Sequence, residues 1–346
     1  MIAIGELIKD NILVENQKDI GRLYSKSNFG KPTSGNKLKL DIIEGVFLLG
    51  EGKIKIFQNK KEINFQKIVE IAAKKITNFE IKYLVYKDLR NRGYAIKIYD
   101  KKENIAFNIN QKTEGPFFVS VFSERDFLNL KETNEVIQYA SKNGNILWFA
   151  ILDEEGDITY YEVSKIDIKG KTKPHIFSKS KGIFLKDRVV IFDEKLSKNL
   201  FEKEFYGKFF GEGLQLSFVE ALYLIEKKII DVFSIDGKKI SKDKILKIVQ
   251  KIQPDIDLRI IVFKDLKKRG LIVKTGFKFG THFRAYTKSP NETHAEYLIH
   301  VVKKDFKSIW SEISRAVRLA HSVNKEIIFA RVDKKIDYIK FGRLRP

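Results

Sequence analysis

One stretch of this chain is written twice. Tyr83-Leu-Val-Tyr-Lys-Asp-Leu-Arg-Asn-Arg-Gly-Tyr-Ala-Ile-Lys97 recurs as Ile260-Ile-Val-Phe-Lys-Asp-Leu-Lys-Lys-Arg-Gly-Leu-Ile-Val-Lys274, with Asp88 and Asp265 separated by 177 residues. Other segments keep nearly that offset: Asn28-Phe-Gly-Lys31 matches Phe205-Tyr-Gly-Lys208, and Leu38 to Leu49 matches Leu214 to Ile225. A duplicated fold is implied, and its copies are not equivalent. The five histidines, at positions 175, 282, 294, 300 and 321, all follow the first copy. Histidine is the side chain whose ordinary pKa lies near neutrality, so proton transfer near pH 7 is expected in the second copy.

At 346 residues the chain is long enough for two or more domains with real cores. Hydrophobic content of 43% with 12% aromatics argues against disorder, and no run of about 18 apolar residues suggests a membrane span. The first residues, Met1-Ile-Ala-Ile-Gly-Glu6, lack the basic, apolar and small-residue regions of a signal peptide, so a cytoplasmic protein without membrane association is expected. With no cysteine, disulfides, zinc-thiolate sites and thiol nucleophiles are excluded. The net charge is +21, from 66 Lys and Arg against 45 Asp and Glu. An excess that large attracts polyanions, and nucleic acid is the favoured partner.

The expected fold class is α+β: two tandem copies, each a small helical and β N-terminal subdomain followed by a mixed-sheet subdomain with packed helices. The boundaries are 1–78 and 79–168 for copy one, a Lys-rich linker at 169–176, then 177–254 and 255–346 for copy two. Asp41 with Glu44 and Ser217 with Glu220 read as helix capping boxes, so each copy is expected to open mainly with helix. Short strands are expected at 52–57 and 188–192, and amphipathic helices at 65–75 and 242–252. The Lys-Asp-Leu-x-x-Arg-Gly helix closes on a glycine suited to the left-handed position, and a strand follows at 94–99 or 271–275. Further strands are expected at 104–110, 117–122, 146–152 and 157–163, matched by 281–287, 296–302, 326–332 and 336–341. Helices fill 124–141 and 304–321.

In copy two, Gly280-Thr-His-Phe-Arg-Ala-Tyr286 runs through a turn into Thr293-His-Ala-Glu-Tyr-Leu-Ile-His-Val-Val302, and Arg315-Ala-Val-Arg-Leu-Ala-His-Ser-Val-Asn-Lys325 leads into Ile327-Ile-Phe-Ala-Arg-Val-Asp333. At these residues the chain resembles the archaeal tRNA-splicing endonuclease family, in its long form with two fused copies. The resemblance implies a catalytic triad of Tyr286 at a strand end, His294 opening the next strand, and Lys325. Aligning Phe107 with Phe283, Phe117–Phe122 with Tyr297–Val302 and Ala150–Asp153 with Ala330–Asp333 puts Asn110, Glu114 and Asn145 at those places in copy one. None of these could substitute.

The implied chemistry is attack of a ribose 2′-hydroxyl on the adjacent phosphate, leaving a 2′,3′-cyclic phosphate and a 5′-hydroxyl. That reaction needs a base, an acid and positive charge on the phosphorane. His294 suits the acid and Lys325 the charge. Tyr286 is assigned as base, although a phenol with pKa near 10 either needs a neighbouring cation or merely orients the hydroxyl. No cofactor or metal is required. His282 shares the Tyr286 strand face by the two-residue period and competes for the role of acid; His282, His294 and His300 as metal ligands lack a supporting carboxylate cluster.

Arg318, seven residues before Lys325 and expected on the same helical face, corresponds to an arginine that in the family stacks on a bulged base, with a second cation, Lys340 or Arg343, from the chain end. The acidic turn Asp153-Glu-Glu-Gly-Asp157 corresponds to a loop that docks into a basic pocket of another chain, so Asp153, Glu154, Glu155 and Asp157 are expected at a homodimer interface. The implied substrate is precursor tRNA, cut at a bulge-helix-bulge. A noncatalytic RNA-binding descendant of the fold and a metal-dependent DNA nuclease are the rival readings.

Overall fold

The structure, a computed structural model, describes residues 2–99, 101–102, 104–110 and 115–346. Each copy opens on a six-stranded sheet, where the sequence suggested mainly helix. In copy one the strand order is Lys31–Thr33, Lys37–Asp41, Asn11–Val14, Ala3–Ile8, Ile54–Gln58 and Lys61–Ile63, and copy two repeats it from Lys208–Phe210 through Lys239–Ile240. Two of these strands, Ile54–Gln58 and Arg188–Ile191, lie near the expected 52–57 and 188–192; the others escaped notice because they are short hairpin arms whose outward positions carry charged residues or isoleucine indifferently, as in Ala3–Ile8 with its strict buried-exposed alternation. The expected helices Phe65–Lys75 and Lys242–Ile252 lie at the anticipated bounds.

The capping boxes also form, and they do more than start helices. The Glu44 carboxylate accepts from Asp41 N and from Gly30 N, both at 2.8 Å; Glu220 accepts from Ser217 N at 2.9 Å and Gly207 N at 3.0 Å. One carboxylate thus ties a helix N-terminus to a hairpin that would otherwise leave a backbone donor unpaired. The same hairpins are held from the other subdomain: Lys97 Nζ donates to Asn28 O and Gly30 O, and Lys274 Nζ to Phe205 O and Gly207 O.

The remaining halves of the two copies merge into one ten-stranded sheet. In chain order its strands are β1 (Ile96–Ile98), β2 (Phe107–Ile109), β3 (Phe117–Ser123), β4 (Ile146–Leu152), β5 (Ile158–Lys165), β6 (Ile272–Thr275), β7 (Phe283–Tyr286), β8 (Tyr297–Lys303), β9 (Glu326–Val332) and β10 (Ile336–Leu344). Their spatial order is β6-β7-β8-β9-β10-β5-β4-β3-β2-β1. Pairings β3–β4 and β8–β9 are parallel and the others antiparallel. The helices are α1 (Phe79–Asn91), α2 (Leu130–Lys142), α3 (Ile256–Lys268) and α4 (Trp310–Ser322). Helices α2 and α4 start later than expected, because Phe127–Asn129 and Lys307–Ile309 pair with each other as a short ladder before each helix begins. Gly93 and Gly270 take φ of 92° and 76° after the first helix of each pair, the left-handed stop that the sequence pattern anticipated.

The join between copies has two-fold character. Tyr160 and Tyr338 each donate to the aspartate of the repeated motif, Asp88 at 2.7 Å and Asp265 at 2.8 Å, so they are counterparts. The same offset relates Val163 to Phe341, and these two residues oppose one another across β5 and β10. A local axis therefore passes between them. Over it Trp310, fully buried, sits among Phe122, Phe149, Tyr161 and Phe341 at ring separations of 5.3 to 6.3 Å. Three of these rings come from copy one and two from copy two. Aromatic pairs of this kind add about 0.5–1.5 kcal/mol each beyond area burial, so copy one is built into the core supporting copy two.

The linker runs across the face of copy two. Gly170 N donates to Arg269 O, Thr172 N to Gly270 O and Lys171 N to Thr287 O, and a Cβ on Gly170 would come within 2.0 Å of Gly270 O.

Candidate active site

Tyr286 ends β7, and its buried ring packs with Ile272, Ala295 and Phe205. The ladder sets what lies near it. Ala285 opposes Tyr297, Tyr297 opposes Glu326, and Glu326 N donates to Glu296 O at 2.9 Å. Tyr286 and Lys325 therefore stand at the same end of the sheet with one strand between them, about 10 Å apart at the backbone. Lys325 Nζ lies 5.7 Å from the Phe279 ring, and Phe279 packs on the core beneath α4. That puts Lys325 on the α4 side of the sheet, the side that Tyr286 shares with Leu298 and Ile327 by strand period.

His294 is exposed and sits in the loop between β7 and β8, three residues before β8 begins. The sequence suggested that it opens the strand. The loop stays irregular because Glu296 turns its carboxylate back onto Thr287, accepting from N at 3.0 Å and from Oγ1 at 2.7 Å. Ala295 then anchors the loop against Tyr286, which fixes the backbone next to His294. Among the described residues no hydrogen bond links the three side chains to one another. The copy-one counterpart Glu114 lies outside the described residues.

His282 comes just before β7, four residues and about 13 Å of extended chain from Tyr286, and its ring turns toward Asp255 at the start of α3 rather than toward the phenol. Its nitrogens are occupied: Nδ1 accepts from Val301 N at 2.9 Å, and Nε2 faces Asp255 at 3.1 Å. Burial, the adjacent His300 and Arg259 push its pKa down to about 4, against the pull of Asp255. His300 is lowered too, chiefly by burial; the two rings are 4.7 Å apart. Among the described residues no group of three His, Cys, Asp or Glu side chains is placed to hold a metal ion.

Arg318 does not share a helical face with Lys325, because α4 ends at Ser322 and the chain turns away through Asn324 at φ 52°. It lies on the exposed side of α4 near Tyr161, whose hydroxyl donates to Ser314 Oγ at 2.9 Å. Burial raises the Tyr161 pKa, while Ser314 and the charges of Arg318 and Arg343 act against it. Arg343, opposite Tyr161 across the β5–β10 ladder, is therefore on the Arg318 side. Lys340 points to the other side of the sheet and pairs with Glu326 at 3.1 Å.

With the fold and site in place, comparison with known proteins adds two findings. Residues 3–69 and 180–246 match the family described as tRNA intron endonuclease, N-terminal domain, and residues 79–160 and 256–340 match tRNA intron endonuclease, catalytic C-terminal domain. A tRNA-splicing endonuclease of Methanococcoides burtonii is 37% identical over 350 residues, covering 99% of both chains. This chain belongs to the tRNA-splicing endonuclease family. It is an endoribonuclease. A Haloferax volcanii relative is 27% identical over 94% of this chain and 95% of its own. A shorter one from Pyrococcus abyssi, 38% identical over 162 residues, aligns 94% of itself with 45% of this chain, as a protein holding one copy would.

In this endonuclease the acidic turn joins β4 to β5. Asp153 serves the turn itself, accepting from Glu155 N at 3.0 Å and Asp157 N at 2.9 Å, while Glu154 pairs with Arg125. Glu155 and Asp157 are exposed. At the opposite end of the sheet a cavity of about 870 Å³ opens between the copy-two subdomains, lined by Lys173, Lys227, Lys264, Lys267, Lys268, Arg269, Lys334 and Lys335 against only Glu204, Asp265 and Asp333. By the β5–β10 register, turn and cavity lie about 35 Å apart along the strands, so the turn does not reach the cavity of its own chain. Sequence reasoning missed these cavity residues because their lysines are scattered over four segments. It also passed over Phe279, Arg284 and Glu296, although Arg284 lay two residues from Tyr286 on a strand already drawn.

Proposed function

We propose that the endonuclease removes introns from precursor tRNA in the cytoplasm by cutting bulge-helix-bulge RNA without a metal ion. Tyr286 draws the proton from the 2′-hydroxyl, His294 protonates the leaving 5′-oxygen, and Lys325 offsets the charge that gathers on the phosphorane. The observation that carries this reading is that Tyr286 and Lys325 stand at one end of the copy-two sheet with His294 in the loop between β7 and β8, while copy one has Asn110 and Asn145 at the corresponding places. The exposed position of His294 suits an acid that must meet a leaving group arriving from solvent.

Recognition in this reading is by shape, since paired RNA hides its base edges and only unstacked bulges are read closely. Arg318, with Arg343 on its side of the sheet, grips a bulged base; Lys340, on the other face, does not take part. Two chains assemble as a homodimer in which Glu155 and Asp157, with Asp153 and Glu154 shaping the turn, enter the basic cavity of the partner. Charge complementarity and the distance from turn to cavity within one chain support this pairing. The reading is tested by the ends of the products from a bulged RNA incubated with the protein in EDTA. A 2′,3′-cyclic phosphate and a 5′-hydroxyl are expected; a 5′-phosphate, or no cleavage in chelator, would overturn it.

A further inference from the structure

Arg284 stands two residues before Tyr286 on β7, with its guanidinium 5.9 Å from the Tyr286 ring. Its Nε is buried without a hydrogen-bond partner, and among the described residues no carboxylate forms an ion pair with it. Directly opposite on β6 is another cation, Lys274. The ammonium of Lys274 is committed to Phe205 O and Gly207 O at 2.6 and 2.7 Å; burial lowers its pKa, and the charge of Arg284 adds to that. Like charges facing each other across an antiparallel pair destabilise a sheet, and a half-buried guanidinium with an unmet donor adds to the strain on folding.

Copy one holds the control. There Lys97 does the same work on Asn28 O and Gly30 O, and the residue opposite it is Asn108. The fold needs the lysine and not the arginine. The copy with asparagine at this position also has Asn110 in place of the tyrosine, so cation and phenol occur together and are missing together.

We propose that Arg284 is an anion-binding residue of the active site, which sets its guanidinium fork on the nonbridging oxygens of the scissile phosphodiester from the tyrosine side. A planar fork with donors in fixed directions fits a phosphate in two-point contact. Lys325 approaches the same phosphate from across β8. The negative partner that Arg284 lacks in the free protein is supplied by RNA. This assignment rests on the ribonuclease reading above.

The test replaces Arg284 with the residue copy one uses. Arg284→Asn is expected to slow single-turnover cleavage of a bulged RNA, at saturating protein, on the order of 10²-fold, while its thermal midpoint stays at or above that of the unmodified chain. Arg284→Lys is expected to recover part of the rate. A merely structural arginine gives the opposite signature: a lower midpoint, with cleavage per folded molecule unchanged. Cleavage by Arg284→Asn within twofold of the unmodified chain overturns the assignment and leaves the ribonuclease reading standing. An unmodified chain that leaves the RNA uncut overturns both.

Discussion

Titration of His282 separates a structural histidine from a catalytic one. The ring is enclosed by His300, Arg259 and Asp255, with Val301 N donating to Nδ1, so the neutral tautomer carries its proton on Nε2 toward Asp255. Its pKa falls from 6.5 to about 4, which at about 1.4 kcal/mol per unit corresponds to roughly 3 kcal/mol. Above pH 6.5 the ring is neutral in folded and unfolded chains alike. As pH drops below 6.5 the unfolded chain takes up a proton that the folded chain refuses, and stability is lost until pH passes about 4. By pH 5 the loss from this group is about 2 kcal/mol, and His300, lowered in the same direction, adds to it. The perturbation is His282→Gln, which keeps an acceptor for Val301 N and a donor for Asp255 without the titration. Denaturant unfolding at pH 7.5 and pH 5 is expected to show the unmodified chain losing about 2 kcal/mol more than the variant. Cleavage at pH 7.5 is expected to stay within a few-fold. An NMR titration giving His282 an ordinary pKa near 6.5, or a variant inactive at pH 7.5 while fully folded, refutes this account of the residue.

Two further outcomes follow from the surface groups. Reversing Glu155 and Asp157 to lysine, which spares the capping role of Asp153, is expected to weaken self-association at least tenfold by light scattering; an undiminished dimer rejects docking of this turn. Arg318→Ala is expected to slow cleavage of RNA with unpaired bulge bases much more than it weakens binding to plain duplex, and an equal effect on both would assign Arg318 to phosphate contact alone.

What could be read from the sequence was what local chemistry dictates. The capping residues Asp41 and Ser217 each fix their own helix start, and Ile146–Leu152 reads as a buried strand because nearly every position is apolar. The helix starts at Leu130 and Trp310 could not be placed that way, since the preceding residues are extended only by pairing with the other copy. Arg318 was assigned a face shared with Lys325 on the assumption of a continuous helix, and one left-handed asparagine breaks that periodicity. The single sheet shared by both copies was equally hidden, because β5 and β10 meet through residues 178 apart, such as Val163 and Phe341. Nothing local in either strand names its partner.

The central claim is that groups from one end of the copy-two sheet act together on one phosphodiester, and single-turnover cleavage by His294→Ala in EDTA tests it most directly. The account predicts a fall on the order of 10²- to 10⁴-fold with RNA affinity little changed. A variant that cuts at the full rate contradicts it.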